Sequence, residues 1–320
     1  MKPVSYFFTI ITCGIICFAV TSFTIKENYV ISDLGHFWEA VDSLKDAQTR
    51  EDSIAIIQKY YLDRMSTEGK MFISIRGYTA PELVNTIRRY PKYLKQVRLK
   101  TENISAYTAM LDSGFAKMKA AIPDYKVPRV CFAIGCFRGG GTSEGNLILM
   151  GTEIALATSD MDFSELKGNL RTALLKGINL KELVMHESVH GQQFHKKDDN
   201  LLAIAMREGC ANFLSTYILN DGHLPGLDQY GLENECELWN KFKSGINSED
   251  VSQWFYNTGT IKNKPADLGY FIGMRICEAY YNRQADKQQA IKTLLDRAKY
   301  KEVLEQSGYD GHCDNVKADK

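Results

Sequence analysis

The apolar positions of this 320-residue chain change period twice, and the changes divide it into three parts. From residue 28 to about 125 they recur at helical spacing. Ser32-Asp33-Leu34-Gly35-His36-Phe37-Trp38 predicts a helix opening behind a Ser/Asp cap. Ile54-Ala55-Ile56-Ile57 with Tyr60, Tyr61 and Leu62 gives a second apolar face, and Pro81-Glu82-Leu83 starts a helix with proline in its first turn. From Pro128 the pattern turns to strands. Arg129-Val130-Cys131-Phe132-Ala133-Ile134 is one run, Gly139-Gly140-Gly141-Thr142 interrupts it, and Asn146-Leu147-Ile148-Leu149-Met150 resumes before Glu153.

Helical spacing then returns. Glu165 to Lys176 predicts an approach helix ending near Gly177, and a second begins at a cap, Asn179, and runs to about Phe194. Lys196-Lys197-Asp198-Asp199-Asn200 reads as a polar turn, and Leu201 to Leu214 as a helix apolar nearly all round and therefore buried. Beyond a turn-rich break at Asn220 to Gly226, Leu238 to Phe242 and Trp254-Phe255-Tyr256 read as packing elements. Gly269 to Tyr281 reads as a buried helix with small-residue contacts, and Leu304 to Tyr309 as the closing element before a polar tail beyond Asp314. The fold class this implies is α+β, mostly helical, with a small sheet. A helical N-terminal lobe (23–125) walls one side of a cleft, and a core (126–320) carries the sheet and the later helices. There is no internal repeat.

Residues 1–22 stand apart. Lys2 precedes a mostly apolar run from Val4 to Val20, and Ala19-Val20-Thr21-Ser22 offers small residues for cleavage, which predicts a secretory signal peptide and an exported protein, whether periplasmic, cell-surface or secreted. An uncleaved N-terminal membrane tether is the alternative, since the run is nearly long enough to span a bilayer. A lipoprotein signal at Cys17 fits poorly, with bulky Ile16 before it. Lys+Arg and Asp+Glu both number 39, and no basic run argues for nucleic acid. The basic stretch from Arg88 to Lys100 reads as a solvated helix face. Beyond the signal lie Cys131, Cys136, Cys210, Cys236, Cys277 and Cys313. Without C-x-x-C pairs they do not suggest a cysteine metal site, and buried thiols or disulfides both remain open.

The chemistry concentrates in Val184-Met185-His186-Glu187-Ser188-Val189-His190-Gly191-Gln192-Gln193. On a helix, residues four apart share a face, so His186 and His190 can present two imidazole nitrogens to one ion. Glu187 is turned one step away. It is poorly placed as a ligand but well placed as a general base beside a metal-activated water. A third ligand is needed, and Glu208 in the apolar helix is the candidate, because a buried carboxylate demands a positive partner. Two antiparallel helices joined by a short turn bring it beneath the histidines. Two histidines, one glutamate and an open fourth position form the catalytic rather than the structural pattern for zinc (Zn2+). An ion pair with a neighbouring Arg or Lys is the plain alternative for Glu208. His36, His195 and His223 read as structural or surface residues.

His186-Glu187-x-x-His190 followed by helical Glu208-Gly209-x-Ala211 resembles the gluzincin clan of zinc metallopeptidases. More closely, with Tyr60 to Arg64 running on to Phe72-Ile73, and Gly269 to Tyr281, the chain is similar to a bacterial family of exported, largely uncharacterised zinc-dependent proteases. The resemblance implies a gluzincin-like core in which an edge strand beside the metal pairs with the extended backbone of a peptide or protein substrate. Gly140, Gly141, Thr142 and Asn146 would line that rim, against the plainer reading of a simple hairpin. The glycine stretch lacks the Lys-Ser/Thr ending and following helix of a phosphate loop. The clan also places a Tyr or His across the metal to stabilise an oxyanion, and Tyr270 is the candidate here. The expected activity is zinc-dependent peptide hydrolysis. The competing expectations are a non-catalytic exported binding or assembly protein on the same fold, and hydrolysis of a non-peptide substrate.

Overall fold

The structure is a computed structural model describing residues 28–175, 177–195, 200–258, 260–261 and 264–313. The expected signal or tether at 1–22, most of the polar turn before Asn200 and the tail beyond Asp314 lie outside the described residues.

Strand β1 (Tyr29–Val30) opens the chain. Six α-helices follow: α1 (Ser32–Ser43), α2 (Arg50–Ile57), which runs on into a π-helical turn at Gln58–Leu62, α3 (Thr67–Arg76), α4 (Ala80–Arg89), α5 (Pro91–Glu102) and α6 (Ile104–Ala121). Pro81 does sit in the first turn of α4, behind a capping box of Thr79 and Glu82. Two expectations are corrected here. Ser32 and Asp33 do not cap α1, whose cap position is Ile31 with no side-chain bond. Asp33 is fully buried and instead accepts from the Ser66 backbone N–H at 2.8 Å, anchoring the start of α3. The basic stretch Arg88 to Lys100 is not one helix face but breaks at Tyr90, because Pro91 lacks an N–H and disfavours helical geometry before it. Within it Arg98 is held by both oxygens of Asp42 and lies over the Trp38 ring.

The sheet is mixed, with strand order β1-β2-β4-β3. Strand β2 (Arg129–Ala133) runs parallel to both β1 and β4 (Leu147–Gly151), and β3 (Gly141–Glu144) lies antiparallel to β4 at the edge. The two apolar runs are therefore not hairpin partners, and the glycine stretch does more than separate them: it supplies the edge strand. The sequence accounts for this order. Val130 to Ala133 and Ile148 to Met150 are buried and apolar, as inner strands require, whereas Gly-Thr-Ser-Glu is polar enough to leave one side unpaired. Gly145 makes the β3–β4 turn at φ +56°.

Past α7 (Thr152–Ala155), the approach helix is only α8 (Gly168–Leu174). Glu165 falls outside it because its carboxylate is used elsewhere, accepting from the Tyr93 N–H at 2.9 Å. Helix α9 (Leu180–His190) starts behind an Asn179 cap as expected but stops at His190, short of Phe194. Phe194 is drawn off to bridge Asp296: its N–H donates to Leu295 at 3.1 Å and its carbonyl accepts from Arg297 at 3.0 Å. Helix α10 (Leu201–Leu219) exceeds its expected length by five residues. Helices α11 (Gln229–Glu233), α12 (Glu235–Ser244), α13 (Gly269–Arg283), α14 (Lys287–Leu295) and α15 (Tyr300–Ser307) complete the chain.

Helices α10 and α13 meet backbone to backbone. A Cβ on Gly273 would stand 1.8 Å from the Ala205 carbonyl oxygen, and one on Gly209 would stand 2.1 Å from the Gly273 carbonyl carbon. Glycine is required at both positions by this approach. One hydrophobic core runs through the molecule across residue 125, from Tyr29 and Phe37 to Tyr300 and Val303. Of the cysteines, Cys236 and Cys313 form a disulfide, and Cys131, Cys136, Cys210 and Cys277 are free thiols. Among the described residues no helix is long and apolar enough to cross a membrane.

Candidate metal centre

Helices α9 and α10 run against each other, and His186, His190 and Glu208 converge where they meet. His186 Nε2 and His190 Nε2 are 3.1 Å apart, and Glu208 Oε2 lies 3.4 Å from the first and 3.3 Å from the second. Four ligands at about 2.0–2.1 Å from a tetrahedral zinc are separated by roughly 3.3–3.4 Å. The three donors therefore already hold close to the spacing an ion requires.

Their chemistry points the same way. His186 Nδ1 meets Asn212 Oδ1 at 2.8 Å, and His190 Nδ1 meets Gln193 Oε1 at 2.9 Å. Gln193 is oriented by its own amide nitrogen, which donates to the Arg207 carbonyl at 2.8 Å. An amide oxygen can only accept, so both Nδ1 atoms carry hydrogen, and each ring turns Nε2, the nitrogen an ion would take, toward the carboxylate. Two imidazole nitrogens and a carboxylate oxygen converging on one point form an arrangement that a cation satisfies. The group can hold a metal ion.

Glu208 is 6% exposed. Burial opposes its charge, but the hydrogen bonds and charges of His186 and His190 outweigh burial and hold the carboxyl well below the usual range. Its other oxygen, Oε1, accepts from Arg207 Nη2 at 2.8 Å and Nε at 3.1 Å. The ion pair with a neighbouring arginine, the plain alternative from sequence, thus coexists with the histidine contacts, one oxygen serving each. For His190, burial works against a charged ring, but the Glu208 carboxylate prevails and raises its pKa.

The site opens into a cleft of about 530 Å3. Glu187 lies on its wall beside the edge strand, where a Cβ on Gly141 would touch its Cγ at 3.2 Å and its Oε1 at 3.4 Å. Thr142, Ser143, Glu144 and Gly145 continue the wall. Of the four rim residues expected from sequence, the structure brings Thr142 to the cleft and Gly141 against Glu187. Gly140 instead abuts Ile154 and Leu183, and Asn146 turns away to donate to the Val127 carbonyl at 3.1 Å. No described residue of the N-terminal lobe lines this cleft, so the expected wall is corrected to a support: Arg76 Nη2 donates to the Gly141 carbonyl at 2.8 Å and steadies the edge strand from behind.

Tyr270, at the start of α13, lines the cleft with its ring 6.4 Å from that of His186. Burial, followed by the negative charge of Glu208, pushes its phenol far above the usual value, so it stays protonated and can donate. The opposite rim carries Tyr256, His195, Arg207 and Arg297, none of them expected there from the sequence. Of the expected packing element Trp254-Phe255-Tyr256, Trp254 and Phe255 are buried. Tyr256 itself is 67% exposed and accepts from Arg207 Nη2 at 3.2 Å. His195 is exposed as expected, yet it lines the cleft while bonded to Asp296 at 2.8 Å. Arg207 and Arg297 complete that side. Arg207 stands next to Glu208 in the sequence, a signal that was available. Gln193 and Asn212 had none, since an amide side chain on a helix announces no partner.

Comparison with known proteins places this chain beside none of them: no protein-family model, no curated protein and no solved structure matches it.

Proposed function

We propose that the chain is a zinc-dependent peptidase of gluzincin-like architecture, exported and acting on peptide or protein substrates. The observation that carries this is the convergence of three metal-competent donors with a fourth side chain, Glu187, that takes no part in holding them and faces the same open cleft. His186, His190 and Glu208 would hold the ion. When bound, zinc supplies Lewis acidity, polarising a carbonyl oxygen and making a water more acidic. Glu187 accepts the proton of the attacking water and returns it to the leaving amine nitrogen, the two halves of general base and acid catalysis. The Tyr270 phenol donates a hydrogen bond to the oxygen that gains negative charge. The unpaired side of β3 offers backbone N–H and C=O groups to an extended peptide, a mode of binding largely indifferent to side chains. A binding module without catalysis would leave Glu187 no purpose at that position.

The test is metal content together with turnover. Purified wild-type protein, supplied with zinc and freed of excess, should retain about one ion per chain. Glu208→Ala should lose it or hold it far more weakly. Glu187→Gln should retain zinc and abolish hydrolysis of a mixed peptide pool. Wild type without zinc would remove the metal reading, and full turnover by Glu187→Gln would remove the role given to that residue.

A further inference from the structure

We infer that Arg207 is the positioning residue of the metal centre, and that its grip makes Glu208 a one-oxygen ligand. The inference rests on the metal reading of the site. Arg207 is tied to two of the three donors by different parts of itself. Its guanidinium takes Glu208 Oε1 with two nitrogens, Nη2 at 2.8 Å and Nε at 3.1 Å, which leaves only Oε2 turned toward the histidines. Its backbone carbonyl accepts from Gln193 Nε2 at 2.8 Å, and the same amide's oxygen fixes the Nδ1–H of His190. Through one residue of α10 the carboxylate orientation and the tautomer of the second histidine are set together.

The grip also accounts for a charge that the fold would otherwise carry at a cost. Glu208 is buried, and a carboxylate binding an ion through one oxygen leaves the other needing donors. The planar fork of an arginine meets that need with two nitrogens converging on the one oxygen, which a lysine ammonium cannot do from one nitrogen. Nη2 is shared with the Tyr256 hydroxyl, at 3.2 Å, so the grip reaches the cleft rim as well. A carboxylate released from Arg207 is free to present both oxygens to the ion, which raises the coordination number.

The experiment compares wild type, Arg207→Lys, Arg207→Met and Tyr256→Phe. Zinc affinity is measured by competition with a chromophoric chelator, and the visible spectrum is recorded with cobalt in place of zinc. Circular dichroism and a thermal melt establish that each variant is folded. Both arginine variants should weaken zinc binding by roughly 10–100-fold. Both should also lower the intensity of the cobalt bands as the site moves from four ligands toward five, a change that loss of packing alone does not produce. Tyr256→Phe, which leaves the two bonds to Glu208 in place, should keep the affinity within about twofold and the wild-type spectrum. Wild-type affinity and spectrum in Arg207→Lys would overturn the grip, since charge alone would then suffice. An equal loss in Tyr256→Phe would also overturn it, by locating the effect at the rim. If wild type takes up neither metal, the metal reading falls and the inference falls with it; if wild type binds and the arginine variants match it, only the inference falls.

Discussion

The contact between α10 and α13 allows a prediction with a magnitude attached. In Gly273→Ala the new Cβ would stand 1.8 Å from the Ala205 carbonyl oxygen and 2.6 Å from its carbon, where real Cβ atoms do not come within 3.0 Å of a neighbour. The obstacle is backbone, so no side-chain rotation relieves it, and the helices must separate locally by about 1.2 Å. Overpacking of this kind costs about 1–3 kcal/mol, and the absence of any yielding side chain argues for the upper end. At roughly 2–4 °C per kcal/mol for a chain approaching this size, the unfolding midpoint should fall by about 5–10 °C. Ala205 and Gly209 bracket Arg207 and Glu208 on α10, so the midpoint gain on adding zinc should shrink as well. Gly35→Ala in α1 is the control. Beyond its own stretch of helix backbone nothing lies within 4 Å of its added Cβ, and it should be neutral or stabilise by about 0.5–1 kcal/mol. Thermal unfolding by circular dichroism, with and without zinc, reads both. A Gly273→Ala midpoint within a degree or so of wild type, or a Gly35→Ala loss of equal size, would refute the account of how α10 is held.

Two other outcomes follow from particular contacts. The Cys236–Cys313 disulfide spans 77 residues and closes over buried Glu235, which bonds Arg275 at 2.8 Å and Tyr309 at 2.7 Å. Cys236→Ser should therefore cost about 2–4 kcal/mol in urea unfolding, and a midpoint unaltered by the substitution or by reductant would count against a stabilising role. Glu153 is fully buried and accepts from the Gly135 and Phe137 N–H groups, both at 2.9 Å. Burial raises its pKa above the ordinary 4.5 despite those bonds. Below 4.5 both the folded and the unfolded carboxyl are protonated. As pH rises from 4.5 through the higher folded value, the unfolded chain gives up this proton first and the Glu153 contribution to stability is lost. Carbon-13 NMR of the carboxyl should show titration above 4.5, and titration below it would contradict burial as the dominant influence.

What the sequence disclosed was whatever depends on a short regular period. The i, i+4 spacing of His186 and His190 was sufficient to place both on one face of α9, and the unbroken apolar run after Asn200 made Glu208 conspicuous as a charge inside a buried helix. The strand runs at 129–134 and 146–150 were visible for the same reason, but their pairing was not. A parallel arrangement with a third strand folded back at the edge depends on where β1 inserts, roughly a hundred residues earlier in the chain. The break at Tyr90 was written in Pro91 and was masked by the run of basic residues around it. The early end of α9 could not be read at all, because Phe194 leaves the helix to pair with a segment near residue 296.

The two sides of the cleft are held by different means, and this explains why one was legible and the other was not. The donor side is helical, and its positions follow from the 3.6-residue period and from glycine contacts to α13. On the opposite rim, beside Arg207 and Arg297, two side chains stand on irregular backbone in the left-handed region. His195 and Tyr256, neither of them glycine, both sit at φ +56°, a conformation that costs about 1–2 kcal/mol for such residues. Each persists because its surroundings determine it. Phe255 and Asn257 on either side of Tyr256 are 1% and 3% exposed. Asn257 is fixed at three points, by Asp267 Oδ1 to its N–H at 3.0 Å, by the Asp267 N–H to its Oδ1 at 2.8 Å and by the Ser252 carbonyl to its Nδ2 at 3.0 Å. With both neighbours locked inward, the ring between them has no option but to face out, over Arg207. Strain concentrated on a cleft wall, held by buried neighbours on either side, is how a fold keeps a side chain exposed where hydrophobicity would have drawn it in. It leaves no periodic trace, so Trp254-Phe255-Tyr256 looks in sequence like three core residues when only two of them are.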